Sequence, residues 1–107
     1  MRDRDDPVTD LLKRARRRIT DPDHWTARYA ARSADGVPMS PTDDDAVAWC
    51  AVGSLRVEWG DDAAAQAVYG RAYNRLWVAA GGAPEALNDG LGHPAVLEMF
   101  DRAIRRK

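Results

Sequence analysis

The chain has 107 residues, 45% of them hydrophobic, including four Trp, three Tyr and one Phe; that suffices for one core and excludes two independent ones. Sixteen basic residues against seventeen acidic give a formal charge of −1, which argues against a chain built chiefly to grip nucleic acid, and the apolar content argues against disorder. A single cysteine, Cys50, excludes an internal disulfide framework and fits a reducing compartment.

The first helix begins at Asp6-Pro7, where the aspartate can cap and the proline suits the first helical position. Val8, Leu11, Leu12, Ala15 and Ile19 recur on one helical face, Asp10 adds a carboxylate to the first turn, and Thr20-Asp21-Pro22 stops the run. Residues 22–42 are less regular. His24, Trp25 and Tyr29 can share a helical turn, Ala34-Asp35-Gly36 signals a chain reversal, and Pro38 with Pro41 forbids a regular helix between them. A short helix or turn carrying Trp25, then an extended crossing anchored by Val37 and Met39, is expected.

Thr42 with Asp45 three residues on reads as a capping box and predicts a second helix from Thr42 to about Glu58. Val47, Cys50, Ala51, Ser54, Leu55 and Trp59 would line one side, with Trp49 and Val52 on the flank. Between Ala46 and Leu55 the only ionisable side chain is the Cys50 thiol, so this helix is predicted to be the central, most buried one. Gly53 costs about 1 kcal/mol relative to alanine in a helix interior, and close approach of another helix would compensate. After Trp59-Gly60-Asp61-Asp62, where an aspartate can cap, a third helix is predicted from Asp62 to Ala80. Its core stripe is Ala65, Val68, Tyr69, Ala72, Tyr73, Leu76 and Ala80. Gly81-Gly82 ends it, Pro84–Leu87 adds one helical turn, and Asn88-Asp89-Gly90-Leu91-Gly92 reads as a loop. The last helix starts at His93-Pro94 and turns Val96, Leu97, Phe100, Ala103 and Ile104 inward. The expected fold class is all-α: a compact bundle of four main helices with a long irregular crossing between helices 1 and 2. It forms a single domain over residues 1–107, with residues 1–5 frayed.

Lys13, Arg14, Arg16, Arg17 and Arg18 crowd the end of the first helix, and Arg102, Arg105, Arg106 and Lys107 end the last. Both clusters could meet phosphates. Helix dipoles account for more, because Asp5, Asp6 and Asp10, Asp43 to Asp45, and Asp61 and Asp62 fall at predicted helix starts, and each well-placed charge contributes about 0.3–1 kcal/mol.

Candidate chemistry is sparse. Cys50 lies among apolar neighbours, where a free cysteine acts as a small hydrophobe rather than a nucleophile. His24 and His93 are the only histidines, and without HExxH or paired CxxC they do not define a metal site. No phosphate-binding glycine loop or GxSxG nucleophile turn occurs. Trp49 and Trp77 are expected to be packed on helices; Trp25 and Trp59, at element ends, can be half exposed and serve binding.

Trp49-Cys50-Ala51-Val52-Gly53-Ser54-Leu55, after its aspartate-led start, resembles the signature of an uncharacterised family of small helical bacterial and phage proteins, a domain of unknown function. That family's second signature, Trp-Asn-Asp shortly before a terminal helix, matches Leu87-Asn88-Asp89, with Val96-Leu97 and Ala103-Ile104 following. Trp25 corresponds to an upstream tryptophan, although Thr26-Ala27 stands where relatives have Gln-Gly, and Leu87 replaces the triplet's tryptophan. The similarity spans residues 10 to 105. It implies a helical fold and a bacterial or phage origin, and carries no activity, cofactor or catalytic residue.

The functional expectation is a small cytoplasmic protein-interaction module with Trp25, Trp59, Asn88, Asp89 and His93 as its candidate surface and a protein as its partner. The alternative is a small-molecule-binding domain or minor enzyme with a pocket near Trp25, Trp49, Asn88, Asp89 and His93. A third reading is nucleic-acid binding through the basic helix ends. No catalytic, metal-binding or cofactor-binding residue is assigned and no cofactor is expected. The opening Met-Arg-Asp-Arg-Asp-Asp carries no apolar signal segment, and no apolar run approaches the ~20 residues of a membrane span.

Overall fold

A computed structural model describes residues 6–60 and 63–106, with Ala64 described by its backbone alone. The fraying expected of residues 1–5 and the cap expected from Asp61 or Asp62 lie outside the described residues.

Helix α1 (Pro7–Arg18) forms as its sequence dictates: Asp6 accepts from the Thr9 amide at 2.8 Å and Pro7 takes the first turn. Val8, Leu11, Leu12 and Ala15 are buried along it, and Ile19 is buried at its C-cap. This stripe packs against three other helices: α2 (Ala51–Trp59), α3 (Gln66–Ala80) and α5 (His93–Arg105). Each fully buried leucine there contributes roughly 1.5–3 kcal/mol. In α3, Ala72 and Leu76 are buried while Val68, Tyr69, Tyr73 and Ala80 pack on the core from its margin. In α5, Val96, Met99, Phe100 and Ala103 are buried, with Leu97 and Ile104 half-buried at the side.

The fold is mainly helical but not all-α. Thr42 caps no helix; residues 40–46 form consecutive turns, in which the Asp45 amide donates to the Asp43 carboxylate. Strand β1 (Ala31–Arg32) pairs antiparallel with both β2 (Pro38–Met39) and β3 (Ala48–Trp49), in the order β2-β1-β3. Pro38, which lacks an amide donor, is confined to an edge strand, and Gly36 at φ +84° supplies the turn between β1 and β2. Ala48 and Trp49 are buried on both faces of β3, and a short apolar run of that kind reads the same in a buried strand as in a buried helix. Val37, expected to anchor the crossing, is 53% exposed, whereas Met39 does pack on the core.

Helix α2 therefore starts at Ala51 rather than Thr42, with Cys50 as N-cap and Gly60, at φ +72°, closing its C-terminus. The close approach at Gly53 comes from backbone, not from another helix. A Cβ on Gly53 would sit 1.9 Å from the Ala30 carbonyl oxygen, and that same oxygen accepts the Cys50 amide at 3.1 Å. Two further boundaries move. A 3-10 turn (Ala63–Ala65) precedes α3, so that helix begins at Gln66. Residues Asn88 to Leu91, read as a loop, continue a full helix α4 (Pro84–Leu91). The described residues thus hold five α-helices rather than four. Trp49 is buried as expected but in a strand, and Trp77, expected to be packed, is 45% exposed.

The dipole rule holds where the helix ends were placed correctly: α1 has Asp10 in its first turn and Arg16, Arg17 and Arg18 in its last, and α5 ends in Arg102 and Arg105. It fails for α2 and α3, whose first turns hold no acidic residue. No helix among the described residues is long and apolar enough to cross a membrane.

Two glycine substitutions separate packing from propensity. Gly53→Ala forces the Ala30 carbonyl to move and is expected to lower stability by about 2–4 kcal/mol. Gly70→Ala, on an exposed part of α3 with nothing within 4 Å of the new methyl, is expected to raise it by about 0.5–1 kcal/mol. Urea denaturation of both variants checks the opposite signs.

A candidate binding site around Asn88

The centre of the site is an asparagine without solvent contact. Asn88 is 0% exposed. Its Oδ1 accepts from the Trp25 indole at 2.7 Å and from the Ala51 amide at 2.9 Å. Its Nδ2 donates to the Thr26 carbonyl at 3.2 Å and to Asp89 Oδ1 at 3.0 Å. Both acceptor positions and both donors are filled, which is the condition for burying an amide without penalty. One side chain thereby joins α4, the start of α2 and the segment leading into β1.

Asp89 extends this network outward. Its Oδ1 also accepts the Arg28 amide at 2.7 Å, and Arg28 is the one non-glycine residue with positive φ, +75°, among the described residues. A left-handed backbone on a residue with a Cβ is costly and persists when neighbours over-determine it; the Asp89 carboxylate is such a neighbour. Trp25 is fixed by its indole bond and by a bridge to Trp49, whose carbonyl accepts the Thr26 amide. His93 stands 5.5 Å from the Trp25 ring, and its Nε2 donates to the Ile19 carbonyl at 2.7 Å, tying the start of α5 to the end of α1.

Beside this network lies a cavity of about 260 Å³ walled by Arg28, Cys50, Tyr69, Glu85, Asn88 and Asp89, among others. Glu85 and Asp89 are one helical turn apart on α4, and the Tyr73 hydroxyl donates to Glu85 at 3.0 Å. The Cys50 thiol is 8% exposed, and its sulfur accepts the Gly53 amide at 3.2 Å. Burial pushes the thiol above its ordinary range; the backbone amides of Gly53 and Val52 pull the other way, and the Asp89 and Glu85 carboxylates push it further up. A protonated, amide-bound thiol is a poor nucleophile. Burial likewise raises Tyr69, and burial together with the Glu85 contact raises Tyr73. No group of three His, Cys, Asp or Glu side chains among the described residues could hold a metal ion.

Four of the residues singled out from the sequence, Trp25, Asn88, Asp89 and His93, come together here. Asn88 does so as the buried tie rather than as surface. Trp59 stands apart: its ring stacks on Tyr69 at 4.9 Å, so it backs a wall of the cavity, and its indole N–H is buried with no partner among the described residues. Trp49 neighbours Trp25 but sends its indole N–H to the Pro41 carbonyl and its ring face to Arg18. Sequence reasoning missed Arg28, Tyr69 and Glu85. Glu85 and Asp89 have helical i, i+4 spacing, a signal hidden by reading Asn-Asp-Gly as a turn.

The residues that carry the resemblance have structural roles. Gly53 makes room for the Ala30 carbonyl, Cys50 caps α2, and Asn88 with Asp89 holds the 25–28 segment. The family model confirms the resemblance. The chain belongs to a family of unknown function (DUF6197), whose model matches residues 3–106. No curated protein and no solved structure matches it. Membership in DUF6197 therefore brings no activity with it.

Two measurements test that geometry. Asn88→Ala leaves the Trp25 indole and Ala51 amide without their acceptor and is expected to cost about 2–4 kcal/mol in denaturant unfolding. The raised Cys50 thiol gives a pH dependence with a definite sign. Above the ordinary thiol value of 9.0 the unfolded chain releases its proton while the folded chain retains it, so stability falls as pH rises through that range. Comparing urea midpoints at neutral and alkaline pH should show a smaller alkaline loss in Cys50→Ala than in the parent chain.

Proposed function

We propose that the protein is a binding domain that recognises a partner protein by taking one of its side chains into the cavity between Arg28, Cys50 and Asp89. The size of that cavity carries the reading. At about 260 Å³ it falls below the ~300–1,000 Å³ of drug-sized ligand and cofactor sites and suits a single side chain. Its polar wall is pre-formed by the Asn88 network, which lowers the ordering cost of association. Tyr29, next to Arg28, is 46% exposed, and Leu91, two residues beyond Asp89, is 68% exposed; both offer apolar surface to a partner's backbone and flanking residues. On this reading the protein works in the cytoplasm of a bacterium or of a phage-infected cell, where its lone thiol stays reduced.

Nucleic-acid binding through the basic helix ends has less support. Arg16 pairs with Asp101 at 2.7 Å, and both Arg14 and Arg18 pair with Glu58, so part of that positive charge is matched within the chain.

Cys50 serves as a built-in reporter, being the only cysteine and part of the cavity wall. Alkylation of Cys50 by N-ethylmaleimide, slow in the free chain because the thiol is buried and protonated and so followed at mildly alkaline pH, should be slowed further by peptides selected from a display library on the parent chain. They should also lose about tenfold in affinity on Tyr29→Ala, the effect of truncating a moderate hot spot. A library that yields no binder, or binders indifferent to Tyr29 that leave the alkylation rate unchanged, would remove this reading.

A further inference from the structure

Beside Glu58, in the last turn of α2, lies a wider, open cleft of about 570 Å³, lined by Arg14, Arg17, Arg18, His24, Trp49 and Glu58, among others. Its organising feature is one carboxylate divided between two guanidiniums. Glu58 Oε1 accepts from Arg14 at 3.3 Å and Oε2 from Arg18 at 2.7 Å, and the Glu58 side chain is only 17% exposed. The Glu58 backbone carbonyl accepts from Arg14 as well, at 3.0 Å. Arg18 is held on its other side by Trp49, its guanidinium lying 4.7 Å from the ring centroid. Two long, flexible side chains are thus ordered before any ligand arrives, and ordered guanidinium forks are what recognise tetrahedral or planar anions.

The pairing does not use up the charge. Asp10 takes a further bond from Arg14 at 2.9 Å. Arg17 and His24, however, make no side-chain hydrogen bond or ion pair with any described residue, and both face the same cleft. Three guanidiniums, an imidazole and one internal carboxylate therefore line the same cleft.

We propose that this cleft binds a phosphate group, with Arg17, Arg18 and His24 as its donors and Glu58 as a built-in competitor that occupies part of the same donor set. A phosphate monoester or free phosphate carries more than one negative charge and three acceptor oxygens, and so matches several cations better than a single carboxylate does. An extended phosphodiester strand fits worse. Ala46 and Val47 form one wall, and Val47 also lines a neighbouring cleft with Asp44 and Asp45; a polyanion running on past that wall meets like charges.

The alternative account is that the arginines merely offset the C-terminal dipoles of α1 and α2; on that account phosphate does not bind saturably, and Glu58→Gln creates no such binding. Calorimetric titration of the full chain with inorganic phosphate, at low ionic strength against a chloride blank, should give saturable binding. Arg17→Ala, at an exposed position, should weaken it about tenfold, and Glu58→Gln, by removing the competing charge, should tighten it about tenfold. A melting curve on Glu58→Gln establishes that the variant is folded. A phosphoserine peptide that binds more tightly than inorganic phosphate, with the same response to both variants, identifies a phosphorylated partner as the source; equal affinity identifies free phosphate. The proposal fails if phosphate binds neither the parent chain nor Glu58→Gln, if Glu58→Gln leaves affinity unchanged or lowers it, or if a single-stranded DNA oligonucleotide binds more tightly than both phosphate probes.

Discussion

The amide of Asn88 stands where three stretches of chain meet, and it has no water to turn to. Its oxygen holds the Trp25 indole and the first free amide of α2; its nitrogen holds the Thr26 carbonyl and the neighbouring Asp89. A buried amide that filled three of these positions and left one open would incur the desolvation cost of the missing bond. The geometry is therefore all or nothing: α4, α2 and the 25–28 segment each take the one placement that satisfies the others. Asp89 inherits its orientation from this arrangement, and the left-handed backbone at Arg28 inherits its tolerance from Asp89. The wall of the cavity is in this sense a consequence of how one side chain is satisfied.

A second constraint acts on the same region through the backbone. The Ala30 carbonyl is held against α2 by the Cys50 amide, in a space that exists because residue 53 has no Cβ. From that point β1 begins, and through β1 the small sheet is attached to the helical core. Strands of two residues have no independent stability. What keeps these together is the burial of Ala31, Ala48 and Trp49, together with the anchoring of both ends of β3: Trp49 leads directly into the cap of α2, and the Val47 amide donates to the Arg32 carbonyl. The sheet is an attachment of the loop between α1 and α2 to the core more than a layer of its own.

The boundary between what could and could not be read from the sequence follows the range of the interactions involved. α1 was legible in full because its signals are local: a cap, an N1 proline, one apolar stripe and a charged end. The apolar faces of α3 and α5 were legible for the same reason. Residues 42–50 were not. Thr42 and Asp45 imitate a capping box, and Ala46 to Cys50 are uniformly apolar, so neither helical nor strand periodicity could be told apart over so few positions. Asn88-Asp89-Gly90 favours a turn locally, and the helix prevails because the Asn88 side chain finds three of its four partners 37 to 63 residues away. The residues of the candidate site were partly visible as types, Trp25, Asn88, Asp89 and His93. The role of Asn88 was invisible because it depends on which donors the fold brings to it.

Helix α2 links these observations, and its charge pattern shows why both of its ends are occupied. It has nine residues, about 14 Å at 1.5 Å per residue, with the Cys50 sulfur and the Asn88 oxygen accepting amides at the positive end of its dipole. That end is met by weak and neutral acceptors rather than by carboxylates; its amides favour the Cys50 thiolate, but burial outweighs them, so Cys50 remains a thiol. At the other end Glu58 places a carboxylate in the last turn, where the helix carbonyls disfavour it by roughly 0.3–1 kcal/mol. Arg14 and Arg18 offset that arrangement, and they come from α1, whose own C-terminal carbonyls favour cations in the same place. Two helix C-termini thus draw positive charge to one side of the molecule while one carboxylate holds part of it in register. The cavity at Cys50 and the cleft at Glu58 are each maintained by a different chemistry, hydrogen bonds centred on a neutral amide at the first and ion pairs at the second.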